Sequence, residues 1–332
     1  MKFQSINRFR DDPAGQFPVR VKMPHGVLLL LCIFLLRMPA FSAEISDYLY
    51  ILSQSCWAQD RAKVGLVLSG GAAKGIAHIG VLQCWEEWNF PVDLIVGTSV
   101  GSLAGGLYAT GMSISEIANM GADLNWKKLV EFKITPVRML NLSSIVSNER
   151  MGALLTSYIG EKTFEDLKIP FICIACDLKT GEKIIFKEGR LIPAIRASSS
   201  IPGIFEPVSY KHRLLVDGGV IDNVPTDIAK DSGMDMIVAS WAGGSTIMAD
   251  TKNIISVLTQ VISISGTLLS KEQLKLADVV ISPNMDDISP LDIDKFSQAQ
   301  QKGYEECLKK TGEIRHVFLV KTLEKIKEAK RE

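Results

Sequence analysis

The chain has 332 residues, a formal net charge of zero, 47% hydrophobic residues and 22% charged residues. This composition is typical of a folded protein with a sizeable core and excludes a largely disordered chain. Balanced charge argues against a protein that binds nucleic acid mainly by neutralising phosphates, so we expect no nucleic-acid partner.

Residues 1–43 have the three parts of a secretory signal peptide. They hold six basic and two acidic side chains, an apolar run at 27–36, and small residues at Ala40, Ser42 and Ala43. The apolar run is shorter than the roughly 20 residues that a membrane-spanning helix needs. We therefore expect export to the periplasm, the outer membrane or the medium, with an uncleaved weak anchor as the alternative. The remaining 31 basic and 35 acidic side chains make the rest of the chain mildly acidic.

Outside residues 1–43 the chain has five cysteines, an odd number that leaves at least one unpaired. Cys173 and Cys176 have a spacing found in redox and zinc sites, but they lie in the apolar run 171–176, which predicts a buried strand. No second cysteine pair and no histidine cluster completes a metal site. We therefore interpret both as small core residues.

No repeat, low-complexity block or linker divides the chain after residue 43. We predict an N-terminal linker over 44–62, one domain over 63–285 and a C-terminal helical extension over 286–332 that packs on the domain. Residues 254–269 are apolar, but serine and glycine interrupt them, so we expect a helix that covers the domain rather than a membrane span.

Strands and helices alternate along the domain, and glycine-rich turns connect strand to helix. The predicted elements are a strand at 64–68, a helix from residue 76, a strand at 93–96, a helix at 102–110, a hairpin at 170–186, strands at 214–216 and 236–240, and helices at 254–269 and 317–332. This alternation predicts an α/β fold in which helices cover both faces of a mainly parallel sheet.

The sequence Gly97-Thr-Ser99-Val-Gly101 lies between a predicted strand and a predicted helix. A nucleophilic serine needs such a tight turn, with glycines on both sides that let the backbone pack closely. The N-terminus of the following helix also favours developing negative charge. We therefore take Ser99 as the candidate nucleophile.

A second glycine-rich turn, Gly70-Gly-Ala-Ala-Lys-Gly75, also follows a strand and precedes a helix. Backbone N–H groups at such a turn bind a phosphate or the oxyanion of an acyl-transfer intermediate. The positions of Ala72 and Lys74 fit neither of the common nucleotide-binding loops. Together with Ser99, the turn therefore favours an oxyanion hole.

Two residues are candidates for the base that would activate Ser99. Asp217 ends a predicted strand and is followed by Gly218 and Gly219, and parallel sheets gather catalytic groups at such strand ends. The order of Ser99, an aspartate and His316 would instead suit the catalytic triad of an α/β-hydrolase. From Asp-Gly alone, an aspartate that caps a turn is the more common role.

Taken together, these motifs resemble the patatin-like phospholipase family of lipid acyl hydrolases, in particular its exported bacterial members. The resemblance extends from about Val64 to Ile281, and the ordered set is more specific than any single motif. The stretches that carry it are 64–82, 97–102, 177–182, 197–205 and 215–225.

The resemblance implies a three-layer α/β/α fold, a lipid or phospholipid substrate, transient contact with a membrane surface, and no metal or cofactor. It implies that Ser99 is the nucleophile and Asp217 the base, and it gives His78 and His316 structural roles. The expected oxyanion donors are the amides of Gly70, Gly71, Ala72 and Ala73, with supporting motif residues Lys74, Gly75, Gly97, Gly101, Gly218 and Gly219.

The chain departs from the family pattern at Ala72, where the family usually has a third glycine. If φ is positive at this position, we expect the loop to shift and the oxyanion hole to weaken. A relative that binds lipid or a partner without turnover is therefore one alternative, and an α/β-hydrolase esterase that uses His316 is the other. We expect residues 139–145 and the helix from Ile254 to line the path of an acyl chain.

Overall fold

The computed structural model describes residue 50 and residues 60–123, 148–243, 254–290 and 292–329. The predicted signal peptide and most of the predicted linker therefore lie outside the described residues. The described part contains eight α-helices: α1 Ala77–Glu87, α2 Val100–Ala109, α3 Ile114–Asp123, α4 Asn148–Ile159, α5 Leu191–Ser198, α6 Thr226–Asp231, α7 Ile254–Gln273 and α8 Phe296–Ala329.

The same part contains one eight-stranded sheet with the order β5-β6-β3-β2-β1-β7-β8, and β4 pairs with β3 as well. The strands are β1 Val64–Leu68, β2 Leu94–Thr98, β3 Phe171–Asp177, β4 Lys183–Phe186, β5 Val208–Tyr210, β6 Arg213–Asp217, β7 Met236–Ser240 and β8 Val279–Ile281. Five neighbouring strands, β3, β2, β1, β7 and β8, are parallel to one another. The other three, β4, β5 and β6, make antiparallel pairs.

The sheet separates two groups of buried side chains. In β1, Leu66 and Leu68 face the larger group, which includes residues of α1, α2, α5 and α8. Val67 faces the opposite side and packs with residues of α6. This alternation follows from the two-residue period of a strand. The predicted α/β fold, with a mainly parallel sheet flanked by helices, is confirmed.

Two strands were not predicted. β5 and β8 have three residues each, which is too short for a periodic pattern to show. Cys173 and Cys176 are buried and unpaired in β3, so their interpretation as core residues is confirmed. In the described part of the chain, no helix has both the length and the apolar character needed to cross a membrane.

The C-terminal helix α8 is longer than predicted, beginning at Phe296 rather than at residue 317. One of its faces is buried, through side chains such as Ile314 and Phe318, and it packs along α1. The two backbones approach closely at Gly303, where a Cβ would lie only 1.9 Å from the carbonyl oxygen of Ala77. The helix is therefore part of the fold and not a solvated appendage.

This close approach predicts opposite effects for two glycines of the same helix. We expect Gly303→Ala to lower the free energy of unfolding by about 1–3 kcal/mol, because the new methyl group overlaps α1. Gly312→Ala is the control, since a Cβ there meets nothing within 4 Å. It should raise the free energy of unfolding by about 0.5–1 kcal/mol through helix propensity. Urea denaturation measures both, and equal effects would contradict the described packing.

Candidate active site

Ser99 lies at the turn from β2 to α2, with φ of 55° and ψ of −125°. Non-glycine residues rarely adopt a positive φ, and a strained turn of this kind projects a serine hydroxyl away from the sheet. A Cβ on Gly97 would lie 2.7 Å from the backbone of Ser102, and one on Gly101 would lie 2.2 Å from the carbonyl oxygen of Leu68. The close packing at this turn therefore requires both glycines.

Asp217 ends β6, and its Oδ2 accepts a hydrogen bond of 2.5 Å from Ser99 Oγ. Its Oδ1 accepts a second hydrogen bond, of 2.7 Å, from the backbone N–H of Gly219. Ser99 and Asp217 are both only 4% exposed. Burial raises the pKa of the Asp217 carboxyl to about 6, although the two hydrogen bonds oppose this shift. The site thus pairs a serine hydroxyl with an unusually basic carboxylate.

Asp217 reaches Ser99 by a route different from the one expected. β6 is antiparallel to β3, so Asp217 does not end a parallel strand, and that part of the prediction is wrong. In register, Asp217 pairs with Ala175 of β3, and the neighbouring Ile174 pairs with Thr98 of β2. The two side chains therefore meet at the same level of the sheet, across β3. The following Gly218 packs closely on β3, where a Cβ would lie 2.5 Å from the Ile174 carbonyl oxygen.

Three consecutive serines at the end of α5 hold this pair. Ser198 Oγ accepts a 3.1 Å hydrogen bond from the Ser99 N–H, and Ser199 Oγ donates at 3.1 Å to the Ser99 carbonyl oxygen. The Ser200 carbonyl oxygen accepts from the Asp217 N–H at 2.9 Å. None of the three was predicted as a site residue, although a run of hydroxyl side chains after a buried helix is a signal that could have found them.

The loop after β1 lies beside Ser99, and a Cβ on Gly70 would be 3.4 Å from the Ser99 Cβ. Two of the loop's four amides are already used within the protein. The N–H of Gly70 donates to the Asn223 carbonyl oxygen, and the N–H of Ala73 donates to the Pro290 carbonyl oxygen, each at 3.1 Å. These two hydrogen bonds fix the loop but remove Gly70 and Ala73 as donors to a ligand.

The amides of Gly71 and Ala72 remain. Neither N–H has an acceptor among the described residues, and both residues line the cavity above Ser99. Adjacent N–H groups of this kind beside a serine hydroxyl are suited to stabilise an oxyanion. The oxyanion hole predicted over residues 70–73 is therefore narrowed to two candidate donors.

Ala72 adopts a left-handed conformation, with φ of 49°. A Cβ makes this conformation unfavourable by roughly 1–2 kcal/mol. This is the positive φ for which a weakened oxyanion hole was expected. The condition for that expectation is therefore met, and the weakening itself stays a prediction.

The rest of the motif supports this loop. Lys74 is 9% exposed and lines the cavity, and burial lowers the pKa of its ammonium group, partly opposed by the Asp286 carboxylate. Gly75 lies against α2, because a Cβ there would be 1.9 Å from Val100 Cγ1. The loop and the turn of Ser99 are therefore packed directly on each other.

Neither His78 nor His316 contacts the pair of Ser99 and Asp217. His78 is fully buried; its Nε2 donates to the Ser69 carbonyl oxygen and its Nδ1 accepts from Ser240 Oγ, both at 2.8 Å. Burial lowers the His78 pKa to about 4, so the ring is neutral and links the ends of β1 and β7. His316 is exposed on α8 and does not line the cavity. The structure therefore does not place His316 beside Ser99, and its role stays a question for experiment.

A partly buried group of three charged residues holds the segment that follows Asp217. Lys183 of β4 donates hydrogen bonds of 2.7 Å to the carboxylates of Asp222 and Asp227. Gln273, the last residue of α7, donates to the other oxygen of Asp222, whose side chain is 1% exposed. These contacts thus connect α7 and the hairpin of β3 and β4 to the segment that follows Asp217.

A cavity of about 90 Å³ opens above Ser99 and Asp217. Helix α7 forms one wall of it, through Thr259, Ile262, Ser263, Gly266 and Thr267. The helix predicted from Ile254 therefore lies where expected, whereas residues 139–145 are outside the described part. Sites that enclose a drug-sized ligand have roughly 300–1,000 Å³, so this cavity is too small to enclose a ligand of that size. Among the described residues, no three His, Cys, Asp or Glu side chains form a cluster that could hold a metal ion.

Comparison with known proteins identifies the family of the chain. Residues 66–230 match the model of the patatin-like phospholipase family, and the chain belongs to this family, whose members are generally acyl hydrolases. The matched region contains the glycine-rich loop 70–75, the Ser99 turn and Asp217.

Similar curated proteins come from bacteria, fungi and animals. An NTE-family protein of Mycobacterium bovis is 33% identical over 183 residues, which cover 55% of this chain and 50% of that protein. Patatin-like phospholipase domain-containing protein 6 of Homo sapiens is 34% identical over 184 residues, which cover 54% of this chain and 13% of that protein. Lysophospholipase NTE1 of Debaryomyces hansenii is 28% identical over 273 residues, which cover 72% of this chain and 17% of that protein. The chain thus spans half or less of the length of these relatives.

Among solved structures, VipD from Legionella pneumophila is similar with a TM-score of 0.48 and 14% sequence identity, over 75% of this chain and 66% of that chain.

The conformation of Ala72 yields a stability test. Replacing alanine by glycine normally destabilises a protein by about 0.4–1 kcal/mol, through the entropy of the unfolded chain. We expect Ala72→Gly to leave the free energy of unfolding unchanged or to raise it by up to about 1 kcal/mol, because it removes the left-handed strain. Ala73→Gly, in the same loop but without a positive φ, should lower it by about 1 kcal/mol. Equal losses in urea denaturation would show that Ala72 is not strained.

Proposed function

We propose that the protein hydrolyses acyl esters of phospholipids or lysophospholipids, with Ser99 as nucleophile and Asp217 as base. The observation that carries this proposal is the buried 2.5 Å hydrogen bond from Ser99 Oγ to Asp217 Oδ2, beside the unpaired amides of Gly71 and Ala72. Family membership supports the general class of reaction and a lipid substrate.

The first half of the proposed reaction forms an acyl-enzyme. Ser99 Oγ attacks the ester carbonyl carbon as its proton passes to Asp217 Oδ2, since a serine hydroxyl is far too weak an acid to ionise beforehand. The carbonyl oxygen becomes an oxyanion, which accepts hydrogen bonds from Gly71 and Ala72 and lies near the N-terminus of α2. Collapse of this intermediate breaks the bond to the leaving alcohol, which takes the proton from Asp217.

The second half releases the acyl chain. Water gives a proton to Asp217 and attacks the Ser99 ester, and a second oxyanion forms at the same two amides. When that intermediate collapses, the Ser99 oxygen leaves and recovers the proton from Asp217. The products are a fatty acid and the alcohol, and both catalytic residues return to their starting states.

The raised pKa of Asp217 suits this role. Proton transfer from an alcohol is easier to a carboxylate whose conjugate acid has a pKa near 6 than to one near 4. The same carboxyl is then a competent acid for the leaving alcohol.

Export directed by residues 1–43 remains a prediction, because those residues lie outside the described part.

Three variants test the proposed pair. Ser99→Ala and Asp217→Asn should each lower kcat/KM for p-nitrophenyl esters and for phospholipid by about 10³-fold or more, because each removes a reacting group. His316→Ala is the matched control and should stay within about twofold of the parent. Labelling by a fluorophosphonate should disappear in Ser99→Ala.

Asp217→Asn also checks folding. The free energy of unfolding of this variant at pH 8 should be no lower than that of the parent, because the amide avoids a buried charge.

One outcome would contradict the proposed hydrolysis: a parent chain that binds lipid but cleaves no ester and is not labelled by the fluorophosphonate. That result would favour the alternative of a non-catalytic lipid-binding relative.

The pH dependence gives an independent prediction. The base acts in its ionised form, so kcat/KM should be half-maximal at a pH close to the Asp217 pKa of about 6. Below that pH it should fall by about tenfold per unit, and above it should reach a plateau. His316→Ala should give the same profile as the parent. A midpoint that disappears in His316→Ala would assign the base to that histidine.

A further inference from the structure

Helix α7 exposes most of the large apolar side chains that the structure describes on it. Its exposed residues include six large aliphatic side chains, which are 38–59% exposed: Val257, Leu258, Val261, Ile264, Leu268 and Leu269. Its buried residues are small or polar: Ser256, Thr259, Gly266 and Ser270. A surface helix of a soluble protein normally has the opposite arrangement. We call the six exposed residues the outer face of α7.

The outer face is a continuous patch without charge. Val257, Val261, Ile264 and Leu268 follow the helical repeat, so they form one stripe along the helix, and Leu258 and Leu269 widen it. No Asp, Glu, Lys or Arg occurs in residues 254–270. Such patches on a protein surface mark sites that bind a protein or a membrane.

Hydrogen bonds near the C-terminal end of α7 hold its inner, polar side against the protein. A rotation of the helix that buried the outer face would break them. Ser270 Oγ accepts a 3.1 Å hydrogen bond from Asn223 Nδ2 and donates to the Gly266 carbonyl oxygen. Thr226 Oγ1 donates at 2.5 Å to the Gln273 carbonyl oxygen, and Gln273 Oε1 accepts from the Val224 N–H at 3.0 Å. The orientation of α7 is thus tied to the segment that follows Asp217.

We propose that the outer face of α7 is the membrane-binding surface of the protein and inserts among the acyl chains at the surface of a lipid bilayer. This inference rests on the proposed function, because it adds the route by which a lipid reaches the site. The inner side of the same helix lines the cavity above Ser99, so insertion places the cavity beside the lipid surface.

The size of the cavity supports this occupant. About 90 Å³ accommodates the ester group alone, so the rest of a lipid must remain outside the cavity. An inserted α7 leaves the rest of the lipid in the bilayer, where it needs no further pocket. Only the bond to be cleaved then leaves the membrane surface.

The residue types of the outer face also favour a membrane over a second protein chain. Protein interfaces are enriched in aromatic residues, methionine and arginine, and the outer face has none of these. Its aliphatic side chains are the kind that partition into lipid. Three charged residues follow within five positions, Lys271, Glu272 and Lys275, and the last two form an ion pair with each other. We therefore expect binding to depend on apolar burial and to respond little to anionic lipid or salt.

A local fluorescence measurement tests insertion in the full chain. Val261→Trp places an indole on the outer face, and Leu178→Trp places one at a residue of similar exposure, 53% against 55%, outside α7. Brominated phosphatidylcholine vesicles should reduce the emission added by Val261→Trp at least about twofold, because bromine quenches an indole that lies among the acyl chains. The emission added by Leu178→Trp should not change. Binding elsewhere in the chain does not produce this difference, and equal responses of the two variants would overturn the proposal.

A pair of double variants tests the consequence for activity. Val261→Ser with Leu268→Ser should lower hydrolysis of phosphatidylcholine vesicles by about tenfold or more, while kcat/KM for a short-chain, water-soluble p-nitrophenyl ester stays within about twofold. Leu178→Ser with Ile185→Ser makes the same chemical change at residues of similar exposure and should alter neither rate.

The outcomes separate this proposal from the proposed function. If the α7 double variant hydrolyses both the soluble ester and the vesicles as the parent does, the proposed membrane-binding role of the outer face is contradicted. The proposed function is not affected by that result. A chain that hydrolyses no ester but shows quenching at residue 261 would overturn the proposed function and leave the membrane surface standing. A dimer in light scattering that dissociates in the α7 double variant, without quenching by vesicles, would assign the outer face to a second copy of the chain.

Discussion

The hydrogen bond between Ser99 and Asp217 is the contact on which the site depends. It joins a turn after a parallel strand to the end of an antiparallel one, across the strand that lies between them. The backbone comes close enough only because glycine occupies positions 97, 101 and 218. The contact is also buried, and the burial that excludes water raises the pKa of the carboxyl. The packing that brings the Asp217 carboxylate to Ser99 therefore also raises its pKa.

The neighbouring groups divide the work of holding this contact. The three serines that end α5 bind the backbone on both sides of it, so neither residue can shift without breaking a hydrogen bond. His78 and the amides of Gly70 and Ala73 hold the adjacent loop through backbone carbonyl oxygens. Gly71 and Ala72, whose amides make no hydrogen bond within the described part of the protein, both line the cavity. The N–H groups that can bind a ligand are thus the two that make no hydrogen bond within the described part of the protein.

The sequence was informative about the site where a local backbone constraint decides the residue type. Glycines around Ser99 and after Asp217 are required by atoms a few residues away or on the next strand, so the motif is visible in the sequence. The direction of β6 was not predictable, because an isolated strand of five residues carries no sign of whether its partner is parallel. The roles of Ser198 and Ser199 were missed for a similar reason, since their partner, Ser99, is distant in sequence.

Helix α7 shows a further limit of periodicity. The spacing of its apolar residues indicates that they share a face, but it does not indicate on which side of that face the protein lies. The usual rule places the protein on the apolar side, and here the protein lies on the polar side. The expected cover helix is present, with its orientation reversed from that rule.

The attachment of the oxyanion loop has a consequence for how the protein is made. The amide of Ala73 is held by the carbonyl oxygen of Pro290, and the helix after the loop packs on α8 at Gly303. During synthesis the turn of Ser99 and then Asp217 are made before either of these contacts can form. A growing chain therefore contains both side chains while the loop beside them still lacks its supports. The site can be complete only after the C-terminal helix has been made and has packed on α1.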